Sequence, residues 1–475
     1  MSIRFSDVDN DSGVFRAMLE KTIDSLLEYM ESHTFDVCVN EPPCIDASRQ
    51  FVESNIPKEG TPLDTVLDTF FYQLLPQGIN TASKGYMAYI PGGGLLTSAL
   101  ADLIVASTNR YVGIPQMTPN LVQIESNVIK WFAKAVGYGL DAKGIFTSGG
   151  SMANLSAIVC AREACASRQL EKARVYCSSE THHSIQKSLL AAGLYPECWR
   201  IINSGHDQTI DLDKLEQAII EDKREGLKPF LIIANAGTTS SGAIDPLNAL
   251  ANIAQNENLW LHTDAAYGGM FVFTERGKTL LKGIERSDSV TMDPHKGMFL
   301  PYGTGLLLVK NGYDLAKPFA ISHDYLPEGN QDDDIWNFQD LSLELSRRFR
   351  GLGPWLAFKC FGRNQFEACL DEKLTLCEDL KRRVCKLANV EILQANLSLF
   401  AFRYVDESKT PSELNNINRQ WLDNINRGGE VFISGTIIEV LPKQKSYYLR
   451  VCILSYRTHQ ETVDCLWQKI SDSLP

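Results

Sequence analysis

At 475 residues, 44% hydrophobic and 22% charged, the chain has the composition of a globular protein long enough to bury a large core. A formal net charge of −12 argues against a nucleic-acid binder, which would carry a basic face. No run approaches the roughly 18 consecutive apolar residues of a membrane span, and no basic segment followed by an apolar one marks a signal peptide. Twelve cysteines without a C-x-x-C pair predict reduced structural thiols in a cytoplasmic protein. Neither an internal repeat nor a low-complexity tract interrupts the chain.

The chain opens with helical, peripheral segments. Phe15, Met18, Leu19, Ile23, Leu26, Leu27 and Met30 recur on one face of a helix over 15–30. Thr61-Pro62-Leu63 opens a second helix, with proline suited to a first turn. Helices without a sheet of their own must bury their stripe on the main domain or on a second subunit. Aromatics beside a proline and three glycines, from Gly85 to Gly94, predict either a shaped functional loop or a simple domain-entry turn. Helices over 95–107 and 121–136 follow.

From residue 145 onward, strands and helices alternate. A strand over 145–147 runs into Ser148-Gly149-Gly150-Ser151 and a helix over 152–162. Free N–H groups at such a helix start suit a single phosphate monoester, although a serine N-cap flanked by glycine reads the same way. The turn has neither the ending of a Walker loop nor the G-x-G-x-x-G spacing. The next strand, 174–178, leads to His182-His183. Adjacent histidines point apart, so at most one faces a given pocket. Zinc would need further ligands, and none lies nearby in sequence. A strongly apolar strand over 230–234 reads as part of a parallel sheet covered on both faces. Another strand, 259–263, ends at Asp264-Ala265-Ala266. A carboxylate at the edge of a buried strand requires a cationic or N–H partner, either a ring nitrogen or an Arg or Lys of the fold. A strand over 290–292 ends at Asp293-Pro294-His295-Lys296-Gly297, and a last one covers 306–309. Lys296 by itself is either a surface-loop lysine or a desolvated amine able to form a Schiff base. In open α/β sheets, ligands bind beyond the carboxyl ends of the strands. One ligand meeting all four turns needs a phosphate, a flat ring, a protonated ring nitrogen and an aldehyde, which describes pyridoxal phosphate (PLP).

Beyond residue 309, an acidic, aperiodic stretch over 322–334 carries Tyr325 and reads as a mobile loop, a lid or a solvated linker. Helices are expected over 346–362, 374–386 and 461–473, with strands over 399–403, 431–433 and 448–452. Together they make a small α+β domain.

These motifs, in this order, resemble the group II PLP-dependent amino-acid decarboxylases, the family of aromatic-L-amino-acid, histidine and glutamate decarboxylases. The residues that carry the resemblance are Thr147 to Ser151, Ser179 to Ser184, Gly237-Thr238-Thr239, His262 to Tyr267 and Asp293 to Lys296. Met87 to Pro91, Ser346 to Leu352 and Leu449-Arg450-Val451 also match, so the likeness covers nearly the whole chain. It implies an α/β protein of the PLP-dependent transferase fold type I. The parts are an N-terminal helical segment (1–94) packing on a dimer partner, a large domain (95–352) around a mostly parallel sheet, and a small C-terminal α+β domain (353–475).

The resemblance further implies that Lys296 forms the internal aldimine and that Asp264 pairs with the ring nitrogen. His183 would stack on one ring face and Ala266 pack on the other. Gly150, Ser151, Thr239 and His295 would hold the cofactor, and Leu345 and Ser346 would approach the partner subunit's phosphate. Tyr325 would reach across a homodimer interface to protonate the product carbon, with His183 the second choice. Tyr89, Ile90 and Pro91 would line the substrate pocket. The implied reaction is decarboxylation of an L-amino acid to its amine through a quinonoid. An aldehyde synthase or aminotransferase is the nearest alternative, and a non-catalytic scaffold a more distant one. The aromatic branch looks closest, with two departures: Gly297 where Trp is typical, and Gly113 near an expected aromatic residue.

Overall fold

The computed structural model describes residues 8–9, 11–32, 35–39, 46, 49, 55–165, 169–205, 207–320, 336–393, 396–441 and 444–475. Seven strands form the central sheet: β1 (Lys143–Thr147), β2 (Ala173–Ser178), β3 (Trp199–Ile202), β4 (Lys228–Asn235), β5 (Trp260–Ala265), β6 (Ser289–Met292) and β7 (Gly305–Val309). Their order is β1-β7-β6-β5-β4-β2-β3. Only β7 is reversed, antiparallel to both β1 and β6, while β6, β5, β4, β2 and β3 pair in parallel. Every residue of β2, β5, β6 and β7 is buried, as expected of strands covered on both faces. The strands therefore deliver their carboxyl ends to one edge of the sheet, where the motif-bearing turns lie.

The helix Gly150–Cys165 joins β1 to β2 by crossing the sheet over β7, β6, β5 and β4. Its buried face is built of small residues, Ala153, Ser156, Ala157 and Ala161, which let it lie close to the strands. The approach is closest at its start, where a Cβ on Gly305 would fall 2.5 Å from the Gly149 carbonyl carbon.

A second sheet, β8 (Val390–Ile392), β9 (Leu399–Tyr404), β10 (Ser434–Leu441) and β11 (Gln444–Cys452), is antiparallel throughout in the order β10-β11-β9-β8. Phe400, Phe402, Leu449 and Val451 from its strands pack with Trp421 and Ile470 from the helices Pro411–Asn426 and Gln460–Asp472. The segment before residue 95 is stitched to this unit. Met87 N–H donates to the Phe432 carbonyl and Cys452 N–H to the Met87 carbonyl, each at 2.9 Å.

Two sequence expectations are corrected here. Residues 431–433 are not a strand. Val431 and Ile433 are buried, but the Asn426 side chain brackets the Ile433 N–H and carbonyl, and Phe432 makes an isolated bridge to Tyr86. The strand begins at Ser434. Nor does a helix begin at Ser346. Arg347 and Arg350 are drawn inward to Glu125 and Glu344, and the helix starts at Leu352. From there it runs as Leu352–Val384 through a break at Gly362 (φ 71°, ψ 161°), joining the two helices expected over 346–362 and 374–386.

The helix Ser12–Glu31 buries none of its residues and leaves Phe15, Ile23, Leu26 and Leu27 exposed. Among the described residues, no helix is long and apolar enough to cross a membrane.

Candidate active site

A cavity of about 270 Å³ opens where the carboxyl ends of β1, β2, β4, β5 and β6 meet the start of the helix Gly150–Cys165. Gly150, Ser151, Thr239, Asp264, Ala266, His295 and Lys296 all line it. Four separate turns thus converge on one space, as the placement of ligands beyond parallel strands requires.

At one end, Gly149 takes φ +154° and the next residues begin the helix. Gly150 has no room for a side chain: a Cβ there would lie 2.8 Å from Asp293 Oδ2 and 3.1 Å from Ala266 Cβ. The first-turn N–H groups of a 16-residue helix face this cradle, a ready anion site. His295 borders it and donates Nδ1–H to the Thr304 carbonyl at 2.8 Å, since a carbonyl can only accept. Its Nε2 lies 3.7 Å from Asp293 Oδ2. Burial lowers the pKa of His295, and an anion in the cradle would act in the opposite direction.

At the other end lies Asp264, 8% exposed. Its Oδ1 accepts from the Ala266 N–H at 3.1 Å and its Oδ2 from Asn154 Nδ2 at 2.9 Å. Between the two ends stands Lys296 on the one-turn helix Pro294–Gly297. Its Nζ is 3.0 Å from Asp293 Oδ2, and Asp293 Oδ1 is buried without a hydrogen-bond partner. One wall is the small side chain of Ala266; another is His182. His182 caps the helix His183–Ala191, and its Nδ1 accepts from the Ser184 N–H at 3.3 Å and lies 2.7 Å from Ser184 Oγ. An accepting Nδ1 leaves the proton on Nε2. Burial lowers the pKa of this imidazole, which keeps it neutral.

Residues 46–405 match the pyridoxal-dependent decarboxylase conserved domain. The chain belongs to the pyridoxal-dependent decarboxylase family. It is 33% identical to an aromatic-L-amino-acid decarboxylase of Bacillus atrophaeus over 95% of this chain and 93% of that one. It is 28% identical to a phenylacetaldehyde synthase of Arabidopsis thaliana, over 89% of this chain and 88% of that one. A crystal structure of Oryza sativa TDC with PLP and tryptamine shares the fold, with a TM-score of 0.90 at 24% identity, covering 100% of this chain and 98% of that one. The family member described here is a PLP-dependent amino-acid decarboxylase.

The cavity fits that cofactor. A cradle too tight for a Cβ and a helix N-terminus suit its phosphate, a buried carboxylate held by two N–H donors suits a protonated ring nitrogen, and a lysine stands between them. One expectation fails. His183 is exposed and does not line the cavity; its neighbour His182 does. As N-cap, His182 folds over the helix start toward the strand ends, while exposed His183 lies against it, the ring centres 4.1 Å apart, so the two rings do not point apart as expected. The serine two positions after His182, a polar group for its Nδ1, is the sequence signal that separates the pair.

Tyr89, Ile90 and Pro91 do not line this cavity. They approach it from the C-terminal unit. Arg450 donates to the Tyr89 carbonyl at 2.7 Å and to the Thr239 carbonyl at 2.6 Å, and Gly92 abuts the His295 carbonyl so closely that a Cβ would lie 2.1 Å from it. Tyr89 holds a left-handed φ of 48°. Leu345 and Ser346 are exposed and away from the cavity. Tyr325 and the stretch 322–334 lie outside the described residues. Asn154, Asp293 and His182 line the cavity although residue patterning assigned them no role. Besides Ser184 for His182, spacing offers only a weak signal: Asn154 lies four residues after Gly150 and Asp293 three before Lys296.

Proposed function

We propose that the enzyme decarboxylates an aromatic L-amino acid, with Lys296 as the amine that joins the cofactor and Asp264 as the partner of its ring nitrogen. The observation that carries this reading is the convergence of Lys296, Asp264 and the Gly150 cradle on one cavity. When bound, PLP supplies an aldehyde that takes up the substrate amino group and a cationic ring that accepts the electron pair as carbon dioxide leaves. The protein's residues do the positioning. Gly150, Ser151 and His295 hold the phosphate, and Thr239 adds a contact near the ring. His182 and Ala266 confine the ring from its two faces, which leaves the substrate carboxylate one direction in which to stand. Asp264 holds a proton on the ring nitrogen, because a nearby opposite charge favours the charged form. Tyr325 delivers a proton to the product carbon.

The aromatic assignment draws on the Bacillus atrophaeus relative and on both departures from the aromatic branch. The missing side chain of Gly297 would point at buried Met270, 2.6 Å from its Cβ, so this glycine faces the core. Where a side chain on Gly113 would stand, the Tyr111 ring is already present, its hydroxyl 2.2 Å from the ideal Cβ position. An aromatic group is therefore retained there, supplied from two residues away.

The working form we propose is a cytoplasmic homodimer of three-part subunits (1–94, 95–352, 353–475). Support comes from the helix Ser12–Glu31, which has no fully buried residue and leaves Phe15, Ile23, Leu26 and Leu27 exposed, and from exposed Leu345 and Ser346, free to approach a partner's phosphate. Free cysteines throughout the described residues suit a reducing compartment. Measuring amine, aldehyde and carbon dioxide from each of the twenty amino acids tests the reading. Amine and carbon dioxide from Trp, Tyr or Phe are expected. Turnover of acidic or basic amino acids alone overturns the aromatic assignment, and aldehyde without amine overturns simple decarboxylation.

A further inference from the structure

We propose that Trp260, Ser289, His262 and Asn154 form a one-directional chain of hydrogen bonds that holds the Asp264 carboxylate correctly turned toward the cofactor's ring nitrogen. The inference rests on the role proposed above for Asp264.

The chain follows from strand periodicity. Trp260, His262 and Asp264 alternate along β5 and so share one face. Ser289 is the register partner of His262 on β6, and Asn154 descends from the crossing helix onto the same face. Trp260 Nε1 lies 2.9 Å from Ser289 Oγ, and Ser289 Oγ 2.8 Å from His262 Nδ1. His262 Nε2 is 3.0 Å from Asn154 Oδ1, and Asn154 Nδ2 is 2.9 Å from Asp264 Oδ2. All five residues are buried.

The direction of every bond is determined. An ionised carboxylate only accepts, so Asn154 must turn its NH2 toward Asp264 and its oxygen toward His262. That oxygen only accepts, so His262 must carry its proton on Nε2. Its Nδ1 then accepts from the Ser289 hydroxyl, whose oxygen accepts from the donor-only indole of Trp260. The Asp264 end of the chain therefore opposes a flip of Asn154. A flipped amide would set its oxygen against the Asp264 carboxylate and turn His262 to the opposite tautomer, its Nδ1–H on the Ser289 oxygen. Burial pushes the His262 imidazole down to about 4, which keeps it neutral and its tautomer defined.

The fold does not need this chain. β5 lies inside a parallel sheet, where aliphatic side chains fill such positions without leaving polar groups to satisfy. Five polar side chains in a row gain their point from what stands at the open end. These are positioning residues, acting on the cofactor through Asp264.

The test begins with apoprotein labelled with 15N-histidine, the His262 signal being assigned by its loss in His262→Gln. The expected spectrum shows a protonated Nε2 and a bare Nδ1 from pH 5.5 to 8. The opposite tautomer, or a charged ring, overturns the chain. The companion measurement is the equilibrium binding of PLP and the position of its visible absorption band. Asn154→Leu and His262→Phe are expected to weaken binding by roughly tenfold, the worth of a hydrogen bond to a charged group, and to move the band. His262→Gln, which can both donate and accept, is expected to restore most of both. Should His262→Phe not fold, Asn154→Leu and Ser289→Ala give the same readout. If Asp264→Asn alters neither affinity nor band, the role of Asp264 itself fails. If Asp264→Asn alters both while Asn154→Leu and Ser289→Ala alter neither, only the chain fails.

Discussion

Met270 occupies the space that a side chain on Gly297 would need. A Cβ on Gly297 would lie 2.6 Å from Met270 Cβ and 2.9 Å from its Cγ, and Met270 is 1% exposed. The glycine after Lys296 is therefore a packing requirement of this chain. Overpacking a filled core costs about 1–3 kcal/mol. Gly297→Ala is expected to lower stability by about that much in thermal unfolding, and Gly297→Trp to yield little folded protein. Paired with Met270→Ala, Gly297→Ala should recover part of the loss. Equal melting temperatures for Gly297→Ala and the parent would show that the contact is not binding.

Arg347 and Glu125 form an ion pair at 2.5 Å with both side chains fully buried, and Glu125 also accepts from the Gly351 N–H at 3.0 Å. Arg347 stacks on Phe338 as well, 4.8 Å from the ring centre. Leaving one member of such a pair unmatched costs about 3–5 kcal/mol. Arg347→Met is expected to lower denaturant stability by that order, and Arg347→Met with Glu125→Leu by less. Because the pair pins the segment that presents Leu345 and Ser346, the single variant should also weaken PLP binding if, as proposed, that segment approaches a partner's phosphate.

His182 and His183 should separate cleanly. Aromatic stacking contributes about 0.5–1.5 kcal/mol, so His182→Ala is expected to weaken PLP binding by roughly two- to tenfold and to slow turnover. His183→Ala, altering an exposed ring, should leave the PLP dissociation constant near that of the parent. The reverse ranking in a fluorescence titration would return the ring-face role to His183.

Tyr325→Phe removes a proton donor while keeping a ring. Loss of a general acid typically costs on the order of 10²-fold or more. Amine production is expected to fall by that factor. Unchanged amine production would free the loop of any chemical role.

The buried His262 has a consequence for acid stability. Its pKa is about 6.5 in the unfolded chain and is pushed down to about 4 in the fold. Between those values the unfolded state binds more protons, so this histidine makes stability rise with pH through that window. The parent should therefore gain stability relative to His262→Gln from pH 4 to about 6.5, by about 3 kcal/mol in all, and stay level above it. Urea unfolding at stepped pH measures the difference. A flat difference would mean that the ring is not held neutral.

Much was determined by sequence alone because it depends on local order. Short apolar runs ending in polar turns defined β1, β2, β4, β5 and β6, and parallel strands must present those turns at a common edge. Gly150, Ser151, Asp264, Ala266 and Lys296 were therefore legible as a set before any coordinates. What the tertiary structure decided depends on approach between distant segments. Which of two adjacent histidines turns inward depends on His182 capping its helix against the strand ends. Whether Gly297 bears on the substrate depends on Met270, and the shape of residues 346–351 on Glu125 from another helix. Asn154 and His262 looked like ordinary helix and strand positions. They became a chain to Asp264 only when the crossing helix was laid across β5, because hydrogen-bond direction is a property of atoms within about 3 Å of each other, not of residues near in sequence.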